Sequence, residues 1–183
     1  VRGEQYRLTE SFPINFNEVN FSRSDVYQIK AIKRLDEIIF VVNASKGTEY
    51  LNALGTPVSK LSKSEVFEIV SSSSTLEPIY LEEISESSKG SEFRGMDLPL
   101  YKVTSLNDKD KKINLYLNVF SGEITAVRSL QWRIWDLMWG FHIMDWQTRD
   151  KINNIFLKIF SILALVSSIS GILLFFRVDF NSK

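Results

Sequence analysis

The sequence predicts an α+β domain that leads into one membrane helix. Three observations carry this expectation: strand-like segments flank a single capped helix, an indole-rich window covers 131–146, and an unbroken apolar run covers 155–176. The expected architecture is an antiparallel sheet with a short covering helix, then an interfacial Trp-rich helix, then one C-terminal transmembrane helix.

Residues 1–57 read as the strand-rich first part of the folded domain. Within them "DVYQIKAIKRL" and "EIIFVVNA" are strand-like, and Leu35-Asp36-Glu37 is a plausible turn. Residues 58–130 form the second part. Ser62-x-x-Glu65 is a capping-box pattern ahead of Val66, Phe67, Ile69 and Val70, which predicts a short helix over 63–72. The serines 71–74 end it. "EPIYLEEISE" follows as a strand, and "SSKGSEFRGMD" as a polar loop. "LPLYKVTSL" and "KINLYLNVF" make the best-patterned pair, joined by the charged turn "NDKDK". Ile113, Leu115, Leu117 and Val119 point one way, while Asn114, Tyr116 and Asn118 point the other. Ser121-Gly122 turns the chain into a last strand, "EITAVRS". A sheet with one apolar face needs a cover, and the helix at 63–72 supplies it.

All four tryptophans and the only histidine fall within "QWRIWDLMWGFHIMDW". A helix over 131–150 would bring Trp132, Trp135, Trp139, His142 and Trp146 into one arc of about 80°. Indole rings favour the headgroup layer, so these tryptophans are membrane-interface candidates. Arg133, Asp136 and Gly140 lie off that stripe. Ile134, Leu137 and Phe141 make the other side apolar too, which is the pattern expected if a protein partner covers that second face.

The run 155–176 carries one charge, Lys158, which can snorkel from the first turn. As a helix it spans roughly 33 Å, matching the hydrocarbon core. Ser161, Ala164, Ser168 and Gly171 share an arc of about 80°, and Ser167 with Gly171 adds a small-xxx-small pair. These five residues are the expected helix-packing face. Residues 177–183 form a short tail.

Lysine plus arginine total 22 and so do aspartate plus glutamate, so no basic excess points to nucleic acid. With no cysteine, disulfides, thiolate metal sites and cysteine nucleophiles are excluded. No serine or threonine has a nearby base, and Gly90 and Gly95 form no phosphate loop. The carboxylates Glu82, Glu83, Glu86 and Glu92 fit no calcium-loop spacing and read as a solvated acidic face. Zinc would need more donors than surround His142. His142 is read first as an interfacial histidine packed beside indoles, and alternatively as a haem ligand whose axial mate comes from another chain. Val1 suggests a processed start or a missing upstream segment, and no signal peptide is visible near it.

The order of a short helix, a strand meander with "LPLYKVTSLNDKDKKINLYLNVFSGEITAV", the run "WRIWDLMWGFHIMDW" and an apolar helix containing Ser170-Gly171 resembles the PepSY-associated transmembrane family. The likeness covers roughly 58–176. It departs from the family at Asn118-Val119-Phe120, where an Asp-Pro pair is usual, and in having a single histidine. The resemblance implies a PepSY-like unit over 58–130, held on the periplasmic side of a bacterial inner membrane. It also implies an upstream membrane helix beyond the given residues. The flanking charges are nearly balanced, so orientation rests on the family. The expected function is a non-catalytic accessory subunit with no resident cofactor. Its partners would be the lipid bilayer and another transmembrane helix, within an electron-transfer or transport assembly. Two alternatives are a haem-binding component of a ferric-siderophore-reductase-like redox system, with His142 as ligand, and a protease-regulating PepSY module.

Overall fold

The computed structural model describes residues 25–181. Residues 1–24 of the expected 1–57 segment, and 182–183 of the expected tail, lie outside the described residues. The chain forms two compact units. One joins the residues up to Ser87 with Phe93–Leu130, and the other joins Ser88–Glu92 with the residues from Gln131 onward.

In the first unit, β1 (Val26–Arg34), β2 (Glu37–Ala44) and β3 (Gly47–Leu51) form an antiparallel sheet in that order. Arg34 pairs with Glu37, so Leu35 and Asp36 alone make the first hairpin loop. Leu35 adopts a left-handed φ of 51° to close it. The central strand β2 buries residues on both faces: Ile39 on one, Phe40 and Val42 on the other. Phe40 and Val42 pack with Leu51 of β3.

Helix α1 (Lys63–Ser73) begins at Ser62, as the capping box predicts. The Glu65 amide donates to Ser62 Oγ at 3.4 Å, and the Ser62 amide donates to Glu65 Oε2 at 2.7 Å. Two orphan amides are thereby satisfied by one short motif. After α1 come β4 (Glu77–Ile84), β5 (Leu100–Leu106), β6 (Lys112–Asn118) and β7 (Ile124–Arg128), an antiparallel meander in chain order. The apolar edge of α1 (Val66, Ile69 and Val70) closes on Val103, Leu115, Leu117 and Val119 in the main core.

Turn chemistry sets the register. Between β5 and β6, Asn107 Oδ1 accepts from the Lys109 and Lys111 amides, and Asp110 takes a left-handed φ of 54°. Between β6 and β7, Asn118 Oδ1 accepts from the Phe120 and Ser121 amides, and Gly122 follows at φ 71°. Gly122 needs glycine for its left-handed backbone, and a Cβ there would lie 2.5 Å from Ile69 Cδ1, so the Ile69 side chain would have to shift.

One expectation for this sheet is corrected. The sheet is expected to have one apolar face, yet Tyr116, which points opposite to Leu115 and Leu117, is buried too, with its ring 5.8 Å from that of Phe93. The loop between β4 and β5 folds back over the second face, so the meander is covered on both sides at this point.

The two sheets are tied together near the helix cap. Arg34, buried at the end of β1, donates to the Ser59 carbonyl at 3.0 Å and reaches Glu65 at 3.4 Å. Asn118 donates to the Tyr50 hydroxyl at 2.7 Å, and Tyr50 stacks on Phe120 at 5.0 Å. The buried Tyr101 hydroxyl donates to the Leu61 carbonyl at 2.9 Å.

In the second unit, α2 (Leu130–His142) is followed by turns and then by α3 (Ile155–Asn181). Two expectations change here. The Trp-rich helix stops at His142 and does not reach 150, so Trp146 stands outside it. The last helix continues past Phe176 to Asn181, so most of the expected tail is helical.

A Schellman motif ends α2. The Asp145 amide donates to the Gly140 carbonyl at 2.9 Å, the Met144 amide donates to the Phe141 carbonyl at 3.2 Å, and Met144 takes φ 57°. Asn154 then caps α3, its Oδ1 accepting from the Leu157 amide at 2.9 Å. Its Nδ2 donates back to the Ile143 carbonyl at 2.6 Å, which links the end of α2 to the start of α3.

Candidate membrane-facing site

The stretch Ile155–Arg177 has a mean hydropathy of 2.4, and none of it is buried among the described residues. It is long and apolar enough to cross a membrane, by length and composition. Apolar side chains are exposed all round it, so no face is spared for water. Three of its four serine hydroxyls are satisfied within the helix. Ser161, Ser168 and Ser170 donate to the carbonyls of Leu157, Ala164 and Val166 at 2.8–2.9 Å. Ser161, Ala164, Ser167, Ser168 and Gly171 are likewise exposed, and a Cβ on Gly171 would meet nothing within 4 Å.

The indoles divide into two groups instead of one stripe. Trp135 stacks on Trp139 at 6.0 Å with an interplanar angle of 7°, and Trp139 stacks on His142 at 5.9 Å. Trp132, on the same helix, is partly buried. Trp146 instead bridges two helices, with its ring 6.2 Å from Phe141 of α2 and 5.9 Å from Phe156 of α3. His142 is exposed at the helix end. Among the described residues, no three His, Cys, Asp or Glu side chains come together in a way that could hold a metal ion.

The buried side of α2 carries Asp136 and Gly140. Asp136 is wholly buried and accepts from Arg149 Nη1 at 2.5 Å. Arg133 makes an ion pair with Glu92 on the Ser88–Glu92 segment. Gly140 leaves room for this arrangement, because a Cβ there would lie 2.9 Å from Arg149 Cγ. Gly90, at φ 69°, allows an equally close approach, since its Cβ would fall 2.3 Å from the Gln147 carbonyl oxygen. Spacing alone did not single out Asp136, Arg149 or Gly90. The available signal was an aspartate set in an otherwise apolar indole-rich helix, which requires a partner if it is buried. Three of the four acidic residues read as one solvated face are distributed among separate ion pairs. Glu82 meets Lys102 at 3.0 Å, Glu83 meets Lys60 at 2.6 Å, and Glu92 meets Arg133.

Asp145 organises the turns between the helices. Its carboxylate accepts from the Thr148 hydroxyl and from the Thr148, Asp150 and Lys151 amides. The Thr148 hydroxyl, with help from these amides, holds the carboxyl well below the usual aspartate range. A depressed folded value means the stabilisation is complete above the ordinary aspartate pKa of about 4 and is lost as pH falls below it. Acidification below about pH 4 should therefore loosen 145–151 before it disturbs the sheets. Amide chemical shifts of Thr148 and Lys151, followed during an acid titration in micelles, should move together. Asp145→Asn should remove that shared transition. Independent midpoints for the two amides would count against a single carboxylate hub.

No protein-family model matches this chain, and no curated protein or solved structure matches it significantly.

Proposed function

We propose that this chain is a membrane-anchored accessory subunit of the PepSY-associated transmembrane type, without catalytic chemistry of its own. In this proposal α3 crosses a bacterial inner membrane and the sheet unit lies on the periplasmic side. The small residues of α3 form the face that meets a helix of a partner subunit, in an electron-transfer or transport assembly. One observation carries the proposal: the stretch Ile155–Arg177 of α3 is apolar on every face, and among the described residues nothing buries it. A soluble core helix of this length would be covered by the domain it serves. The order of elements, with three strands, a capped helix, a four-strand meander, an indole-rich helix and then the apolar helix, supports the family likeness.

Mild solubilisation from membranes, followed by sizing and mass spectrometry of the purified material, tests both parts. The expected result is retention in the membrane fraction after alkaline washing, and co-purification of defined integral membrane chains. Release without detergent would overturn the anchor. A lone monomer without companions would overturn the accessory role.

A second proposal rests on the exposed imidazole of His142, stacked on Trp139 at a helix end. An axial haem bond there would need its mate from another chain. A reduced spectrum of the purified complex decides it, because a complex without a Soret band carries no haem.

A further inference from the structure

A surface helix of a water-soluble domain turns its apolar side inward and its charges outward. α2 does the reverse. Its buried positions are Asp136 and Gly140, with Arg133 beside them paired to Glu92. Its outward positions are Ile134, Leu137, Met138 and Phe141, which are 54, 45, 53 and 50 % exposed. At about 100° per residue these four fill an arc of about 100° that contains no charged residue. Ionisable groups turned inward and paired, with apolar groups turned outward, is the arrangement lipid imposes.

We propose that the outward face of α2 (Ile134, Leu137, Met138 and Phe141) is covered by lipid at the boundary of headgroups and acyl chains, and not by a protein partner. The inference rests on the proposal that α3 crosses the same bilayer. Continuity supports lipid as the occupant. The Phe141, Trp146 and Phe156 rings form an unbroken aromatic path from this face to the first turn of α3. Trp146, itself half exposed, stands where an indole favours the interface. At 13 residues α2 is about 20 Å long. That is too short to cross a hydrocarbon core of about 30 Å, so the helix lies along the surface. The inward Asp136–Arg149 and Arg133–Glu92 pairs let it do so without presenting a charge to the acyl chains.

The chain has no cysteine, so single labels can be introduced cleanly. Ile134→Cys, Met138→Cys and Leu165→Cys would each carry a spin label. The full chain would be studied in vesicles of phosphatidylethanolamine and phosphatidylglycerol. Collision with oxygen, which dissolves in acyl chains, is compared with collision with a water-soluble nickel chelate. The expected result is oxygen accessibility several-fold above nickel accessibility at all three positions. Oxygen access at 165 with nickel access at 134 and 138 would overturn this inference and leave the membrane anchor standing. Labels at 134 and 138 closed to both reagents would also overturn it, since protein would then cover the face. Nickel access at 165 would overturn the anchor, and the inference with it.

Discussion

Leu117→Ala should destabilise the sheet unit by about 2–5 kcal/mol, the range for emptying a fully buried leucine site. Leu117 is completely buried on β6, in the core cluster that also holds Ile69 and Val70 of α1, Val103 and Leu115. It is paired across the ladder with Tyr101 on one side and Ile124 on the other. Collapse into the cavity is resisted from three sides: the sheet is fixed by its ladders, α1 by its capping box, and the β6–β7 turn by Asn118. A domain of this kind is stable by only about 5–15 kcal/mol, so the loss is a large part of the total. Urea unfolding of the full chain in micelles, read by hydrogen exchange of β5 and β6 amides, should show an earlier midpoint. Leu117→Met keeps the volume and should cost less than about 1.5 kcal/mol. Leu165→Ala on exposed α3 should leave the midpoint of the sheet unit unchanged. Equal midpoints for Leu117→Ala and the parent chain would mean that this cluster is not the core.

What could be read from the sequence was what is encoded locally. Ser62 and Glu65 lie three residues apart, and their two hydrogen bonds fix the start of α1 without reference to anything distant. The alternation of Ile113, Leu115 and Leu117 marks a buried face because side chains on a strand alternate. The end of α2 was missed because the signal for it was absent. A Schellman stop usually shows glycine at its left-handed position, and here Met144 occupies it, leaving an apolar pattern that runs on past His142. The burial of Tyr116 was not legible because its cover, Phe93, comes from a polar loop whose path over the sheet has no periodic signature. For the site, residue type was legible and arrangement was not. The indoles were evident, but their division depends on the turn at Met144, which carries Trp146 off the helix and onto Phe156. The acidic residues appeared as one cluster because Glu82 and Glu83 are adjacent. Their lysine partners lie 20 and 23 positions away, and such pairings are fixed only once the chain has folded.

Arg149→Met should cost the helical unit more than Asp136→Ala, and the double substitution should cost less than either. The asymmetry follows from burial. Asp136 keeps 1 % of its side chain exposed, whereas Arg149 keeps 29 %. Removing Arg149 takes the ion-pair partner from a carboxylate that water cannot reach, and breaking a buried pair in this way costs about 3–5 kcal/mol. Removing Asp136 strands a guanidinium that solvent can partly rehydrate, so the loss should be smaller, about 2–3 kcal/mol. With both gone, neither charge of the pair remains, and methionine can follow the path of the arginine stem over Gly140. Arg149 Nε is already buried without a hydrogen-bond partner among the described residues, so the pair as described does not recover its whole desolvation cost. That makes near-complete rescue by the double variant the expected outcome of the cycle. Tryptophan fluorescence reports this unit alone, since every indole in the chain lies within it, and denaturant titration in micelles would give the four stabilities. If both single substitutions fall below about 1 kcal/mol, the pair behaves like a solvated surface bridge. The inward side of α2 would then be wet, and the inverted polarity that points its other side toward lipid would lose its physical basis.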